Sequence, residues 1–117
     1  MKKTALINAT LVDPSQKINK KGSLLIENKN IAKIIFNNNQ FSDQSYNIIN
    51  CKGLILCPGF VDIKCHLRVP GQEHKENLSY ASKSAASAGI TSLVCMPNTD
   101  PIIDNISIVE LIHRKAK

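Results

Sequence analysis

Ionisable side chains fall at every second position of Asp62-Ile63-Lys64-Cys65-His66-Leu67-Arg68. In an extended strand successive side chains point to opposite faces, so Asp62, Lys64, His66 and Arg68 would share one face. Ile63, Cys65 and Leu67 would share the other, an apolar surface suited to packing beneath helices. The charged face combines an imidazole that can ligate a metal with a guanidinium whose fork matches a carboxylate. Burying such groups is costly unless they are paired or bound to metal. At the C-terminal end of a parallel-barrel strand they would serve a site. The blander alternative is a structural ion-pair cluster.

Other candidates read as structural. His74 and His113 fall in a polar loop and at a helix end, where surface positions are the rule. The cysteines Cys51, Cys57, Cys65 and Cys95 form no Cys-x-x-Cys pair, which argues against a zinc knuckle. Cys65 and Cys95 read as small buried residues of strands. Cys51 and Cys57 flank a turn and could pair under oxidation, but a reducing setting argues against it. Glu73, Glu76 and Asp104 show no paired-carboxylate arrangement. Asn77-Leu78-Ser79 fits a glycosylation acceptor, which means nothing in a cytosolic chain.

The elements that must position these residues divide at Pro58-Gly59. Before it, Ala5 to Val12 reads as a strand ended by Asp13-Pro14. Ser23 to Glu27 and Ile31 to Phe36, joined by Asn28-Lys29-Asn30, read as a β-hairpin. Asn37 to Ser45 reads as a polar loop. Tyr46 to Ile49 and Leu54 to Cys57, around Cys51-Lys52-Gly53, read as a second hairpin. After the division, a strand is expected over Phe60 to Leu67 and a helix over Glu76 to Ala88, closed by Gly89. A second strand follows over Ile90 to Met96, then a helix over Asn105 to Lys117. Ile108, Val109, Leu111 and Ile112 form that helix's apolar stripe. Asn105 or Ser107 could cap it, and Ser107 with Glu110 fits a capping box. Strand, helix, strand, helix is the start of a parallel arrangement that needs further strands to be buried. The fold class is therefore α/β, with an all-β first part, 1–57, followed over 58–117 by the start of a parallel strand-helix arrangement.

Composition narrows the partners. With 43% hydrophobic and 21% charged residues the chain reads as globular rather than disordered. The net charge of +6 is spread thinly, and only 4% of residues are aromatic, so no stacking platform for nucleic acid is in view. No run approaches membrane-spanning length. The start, Met1-Lys2-Lys3 before an interrupted apolar stretch, does not fit a signal peptide. A cytoplasmic setting is the expectation.

Pro58-Gly59-Phe60-Val61-Asp62, His66-Leu67-Arg68-x-Pro70-Gly71, Lys75-Glu76, Ala88-Gly89-Ile90-Thr91 and Val94-Cys95-Met96-Pro97-Asn98-Thr99-x-Pro101 together resemble the dihydroorotases. These are amidohydrolase-superfamily enzymes that open and close the cyclic amide of dihydroorotate in pyrimidine synthesis. The resemblance extends over nearly the whole chain and implies two domains: residues 1–57 look like that family's small β-sandwich domain, and 58–117 like the truncated opening of its (β/α)8 metal-dependent hydrolase barrel. It implies zinc as cofactor, His66 as a metal ligand, and Arg68 and Asn98 as residues that bind the substrate carboxylate. Asp62 would support them.

Lys64 stands where the family's His-x-His-x-Arg motif has its first histidine. An ammonium cannot ligate a metal and repels one. A complete barrel needs about 250 residues, and the later ligands and the acid/base aspartate would lie on strands beyond this sequence. The expectation is a truncated, inactive homologue with no catalytic residue of its own and no stoichiometric zinc. Two other roles follow from the resemblance: a non-catalytic assembly partner of aspartate transcarbamoylase, or one half of a split dihydroorotase, acting on dihydroorotate only when completed. Strands without neighbours would leave edges and apolar faces uncovered, so self-association is expected.

Overall fold

Strand β1 (Lys3–Asp13) is the spine of the first of two compact units, Met1–Pro58 and Gly59–Lys117. The computed structural model describes residues 3–36 and 41–116. After β1, Asp13 caps a short 3-10 turn, Pro14–Gln16, by accepting from Ser15 N–H. Strand β2 (Ile18–Glu27) then returns antiparallel to β1. Strand β3 (Asn30–Phe36) returns antiparallel to β2, as the hairpin expectation has it. Asn28 and Lys29 both take positive φ, 50° and 71°, as a two-residue hairpin turn requires. Part of the loop expected over residues 37–45 falls on 37–40, outside the described residues. Beyond them, Asp43 turns the chain by accepting from Ser45 N–H at 2.9 Å.

The second hairpin is corrected. Strands β4 (Asn47–Asn50) and β5 (Ile55–Leu56) do not pair with each other; both pair parallel to β1. The turn at Lys52-Gly53 offsets the chain instead of reversing it. Cys51 N–H donates to Ile7 O at 2.8 Å, and Thr10 N–H to Leu54 O at 2.9 Å. Thus β1's open edge satisfies the backbone of both segments.

Between those two pairings β1 carries a bulge. Leu6 opposes Leu24 and Ala9 opposes Gly22, so three steps on β1 meet two on β2. Asn8 sits at φ 62°, and its Nδ2 donates to Asn50 Oδ1 at 3.0 Å. The extra residue inverts the inside-outside alternation. Leu6 before the bulge and Ala9 and Leu11 after it consequently share one face, packed with Cys51, Ile18, Ile34 and Leu56.

One polar cluster ties β1, β2 and the approach to β4. Tyr46 hydroxyl donates to the Glu27 carboxylate, and Lys3 Nζ lies 3.1 Å from the same carboxylate. The bond from Tyr46, then that from Lys3, hold Glu27 below the ordinary carboxylate range. The bond to Glu27 pushes Tyr46 up to about 12. Because the folded chain prefers the neutral phenol, this contribution is intact below pH 10 and disappears as pH rises through about 12. Urea midpoints taken across that window should fall for the parent chain, and Tyr46→Phe should lack that step. Identical pH profiles would refute the assignment.

In the second unit, β6 (Phe60–Cys65) and β7 (Ile90–Cys95) form a parallel pair. Helix α1 (Leu78–Ser87) is capped by Asn77, whose Oδ1 accepts from Tyr80 N–H at 3.0 Å. That cap starts the helix two residues later than the pattern suggests. Gly89 closes it at φ 79°. Helix α2 (Ile106–Lys115) is capped by Asn105 and not by Ser107, which lies inside the helix. Residue 117 lies outside the described residues. Leu67, Val69 and Ala81 are buried, and an apolar groove of about 610 Å³ remains, lined by Leu67, Leu93, Val109 and Ile112 among others.

Candidate functional site

Strand β6 ends at Cys65, two residues sooner than the alternation implies. His66, Leu67 and Arg68 therefore lie on the segment that leaves it, and Arg68 takes φ 60°. The single-face expectation holds only in part. Leu67 is buried, yet Ile63, expected beneath helices, is 76% exposed. Lys64 and His66 are exposed, while Asp62 and Arg68 are half-buried. Asp62 is engaged within its own strand, its Oδ1 accepting from Lys64 N–H at 2.9 Å.

Parallel pairing places the C-terminal ends of β6 and β7 side by side. Met96 N–H donates to Cys65 O at 2.8 Å, which carries the ladder to the last residue of β6. The residues that follow the two strands then meet. His66 Nδ1 lies 3.1 Å from Asn98 Oδ1. With that oxygen as acceptor, Nδ1 carries the proton and the Nε2 lone pair is free. Arg68 Nη1 donates to Gln72 Oε1 at 3.4 Å, and Lys75 Nζ reaches the same oxygen at 3.3 Å. His66, Arg68, Gln72, Asn98 and Thr99 line one small recess.

The structure thus brings His66, Arg68 and Asn98 together and leaves Lys64 outside the recess. Gln72 and Thr99 are site residues that the sequence pattern does not disclose. Gln72 had one signal, its place four residues after Arg68 in a Gly-containing turn, and Gln72 N–H does donate to Arg68 O at 2.9 Å. Glu73 anchors the same loop. Its carboxylate accepts from Gly71 N–H at 2.8 Å and pairs with Lys115 at 3.1 Å. Its own backbone N–H, then Lys115, hold it below the usual carboxylate range. His74 and His113 are exposed.

A zinc ion needs three or four N, S or O donors around one point. Among the described residues no three His, Cys, Asp or Glu side chains are grouped to hold a metal. The strand end offers His66 Nε2, with the Lys64 ammonium two positions earlier. This donor set does not fit a zinc site held by the described residues alone. A guanidinium, a carboxamide and an imidazole border this recess, whose volume is about 10 Å³.

Asn98→Ala should release His66 toward the Nε2–H tautomer that neutral imidazole prefers in water. The ¹⁵N shifts of the two ring nitrogens should move accordingly. Unchanged shifts would show that Asn98 does not set the ring.

Comparison with known proteins places this geometry in context. A family model described as dihydro-orotase-like matches residues 53–117. The dihydroorotase of Wolbachia sp. subsp. Brugia malayi (strain TRS) is 46% identical over 117 residues, covering 97% of this chain and 26% of the relative. That of Aquifex aeolicus (strain VF5) is 44% identical, covering 100% of this chain and 27% of the relative. The chain spans about a quarter of the length of these curated relatives. Among solved structures, the L-hydantoinase (dihydropyrimidinase) from Arthrobacter aurescens superposes with a TM-score of 0.83 at 22% identity. It covers 99% of this chain and 25% of that one, a likeness of fold.

Proposed function

The chain belongs to the dihydro-orotase-like family, and from that premise we propose that residues 58–117 form the carboxylate-reading part of a dihydroorotase-type site without hydrolytic power of their own. The observation that carries this reading is the meeting of His66, Arg68 and Asn98 beyond β6 and β7, with Lys64 two residues before the histidine. Arg68 supplies the fork for the substrate carboxylate and Asn98 a second polar contact, while Gln72 holds the guanidinium in place. Among the described residues lining the recess, His66 brings the one imidazole. Ring opening of a cyclic amide by a zinc hydrolase requires a water held and acidified by a multiply ligated ion. The donors present do not assemble that ion, so no hydrolytic step is assigned to them.

Calorimetric titration with dihydroorotate and a ring-opening assay with added zinc test the proposal together. The expected result is weak binding, reduced about tenfold or more by Arg68→Ala, with no turnover. Zinc-dependent hydrolysis by this chain alone would overturn it.

A second reading, a non-catalytic assembly partner of aspartate transcarbamoylase, is favoured by the apolar surface of β6 and β7. Phe60, Val61, Ile63 and Val94 are each more than half exposed. Gel filtration of the mixture should then show co-elution, against separate peaks or a self-associated species if the reading is wrong. Both readings suppose a cytoplasmic setting. No helix among the described residues is long and apolar enough to cross a membrane.

A further inference from the structure

Cys65 closes β6 and Cys95 closes β7, and the two are directly paired residues of the parallel ladder. The bond from Met96 N–H to Cys65 O at 2.8 Å fixes that rung. Residues in register on adjacent strands project from the same face at a backbone spacing of about 4.8 Å. That spacing lies inside the Cα separation of about 4.4–6.8 Å that a disulfide spans, and closing the bond draws the two Cβ atoms in to about 3.5–4.5 Å. Both cysteines are free and half-buried. Cys95 also lines the apolar groove, together with residues of α1 and α2. Its thiol donates to the carbonyl of the next residue, Met96 O, at 3.3 Å. The other two cysteines differ: Cys51 is buried in the core of the first unit and Cys57 is exposed.

We propose that Cys65 and Cys95 form a reversible disulfide, with a low-molecular-weight disulfide such as oxidised glutathione as the oxidant. The Cys95 thiolate, having given its proton to water, attacks one sulfur of the oxidant and expels one thiolate. Cys65, its proton likewise passed to water, then attacks the Cys95 sulfur of the mixed disulfide and expels the second, and the two expelled thiolates take up the two protons. One disulfide is consumed and one is formed. Two electrons pass from the two cysteines to the oxidant, which leaves as two thiols. The bond ties the strand ends one residue before His66 and three before Asn98. It therefore fixes the spacing on which their contact depends.

The test incubates the full chain with oxidised glutathione, alkylates the remaining thiols and maps the peptides without reduction. Two of the four thiols should resist alkylation, and the chain should be lighter by two hydrogens. One peptide pair should be joined through Cys65 and Cys95, and dithiothreitol should release it. Cys57→Ser should give the same link, because it removes only the exposed competitor. Cys95→Ser should abolish it. In the oxidised chain the Met96 amide should exchange more slowly with deuterium, since the rung that holds it no longer opens. Full alkylation of Cys65 and Cys95, a persistent glutathione adduct on Cys95, or a link confined to Cys51 and Cys57 would each overturn the proposal.

Discussion

Gly71→Ala is expected to destabilise the second unit by about 3 kcal/mol or more, through two effects that act together. Gly71 sits at φ 97°, in the left-handed half of backbone space that a Cβ disfavours. A Cβ there would also lie 2.1 Å from the carbonyl oxygen of Asp100 and 2.9 Å from its carbon. The obstruction is backbone, not the movable end of a side chain. It cannot swing aside, because Asp100 N–H is itself bonded to Pro70 O at 3.3 Å. The loop bearing Arg68 and Gln72 must then separate from the segment bearing Asn98, and the recess between them opens. Gly53→Ala supplies the contrast. It shares a positive φ of 84° but would meet nothing within 4 Å, so only the backbone preference is lost, about 1 kcal/mol. Urea unfolding of both variants decides the matter, and equal losses would show that the Asp100 contact is unimportant.

The second large effect concerns Lys64. Lys64→His should raise zinc affinity about tenfold or more, equivalent to about 1.4 kcal/mol. The change removes an ammonium that repels the ion and adds a neutral imidazole two residues before His66. Competition with a chromophoric chelator measures it, and His66→Ala in the same background should abolish the gain. Hydrolysis should still be absent, since a catalytic zinc needs three protein ligands and an open position. Unchanged affinity would mean that side chains 64 and 66 do not converge on one ion.

How much of this was legible depended on whether the controlling interaction was local. The hairpin of β2 and β3 could be read because Asn28-Lys29 turns the chain and the flanking apolar runs must then meet. Lys52-Gly53 gave an equally clear turn, but a turn states only that the chain bends. The partner of β4 and β5 was decided by the unfilled edge of β1, more than forty residues earlier for each rung of β4. The same holds at the site. Alternation from Asp62 onward was visible, whereas the departure after Cys65 and the positive φ of Arg68 have no signature in residues 62–68. That Arg68 and Asn98 should serve one site came from family resemblance, and the contact of His66 with Asn98, 32 residues apart, is one that periodicity cannot supply. Thr99 lines the recess through tertiary placement, whereas Gln72 is brought there by the local turn that bonds it to Arg68.

The bulge at Asn8 acts as an index notch for the first unit. A smooth strand can slide by two residues against its neighbour and still present the same side chains to the core. With a notch, such a slide carries the change of phase to a place where the partner has nothing to match it. Here the notch is read from both sides: β2 skips at it, while β4 ends and β5 begins across it. One residue therefore synchronises three pairings, and an error on either edge is penalised on the other. Deleting Asn8 would not merely shorten β1. It would put Ala9 and Leu11 out of step with Leu6, and no single shift of β2, β4 or β5 would restore all three alignments.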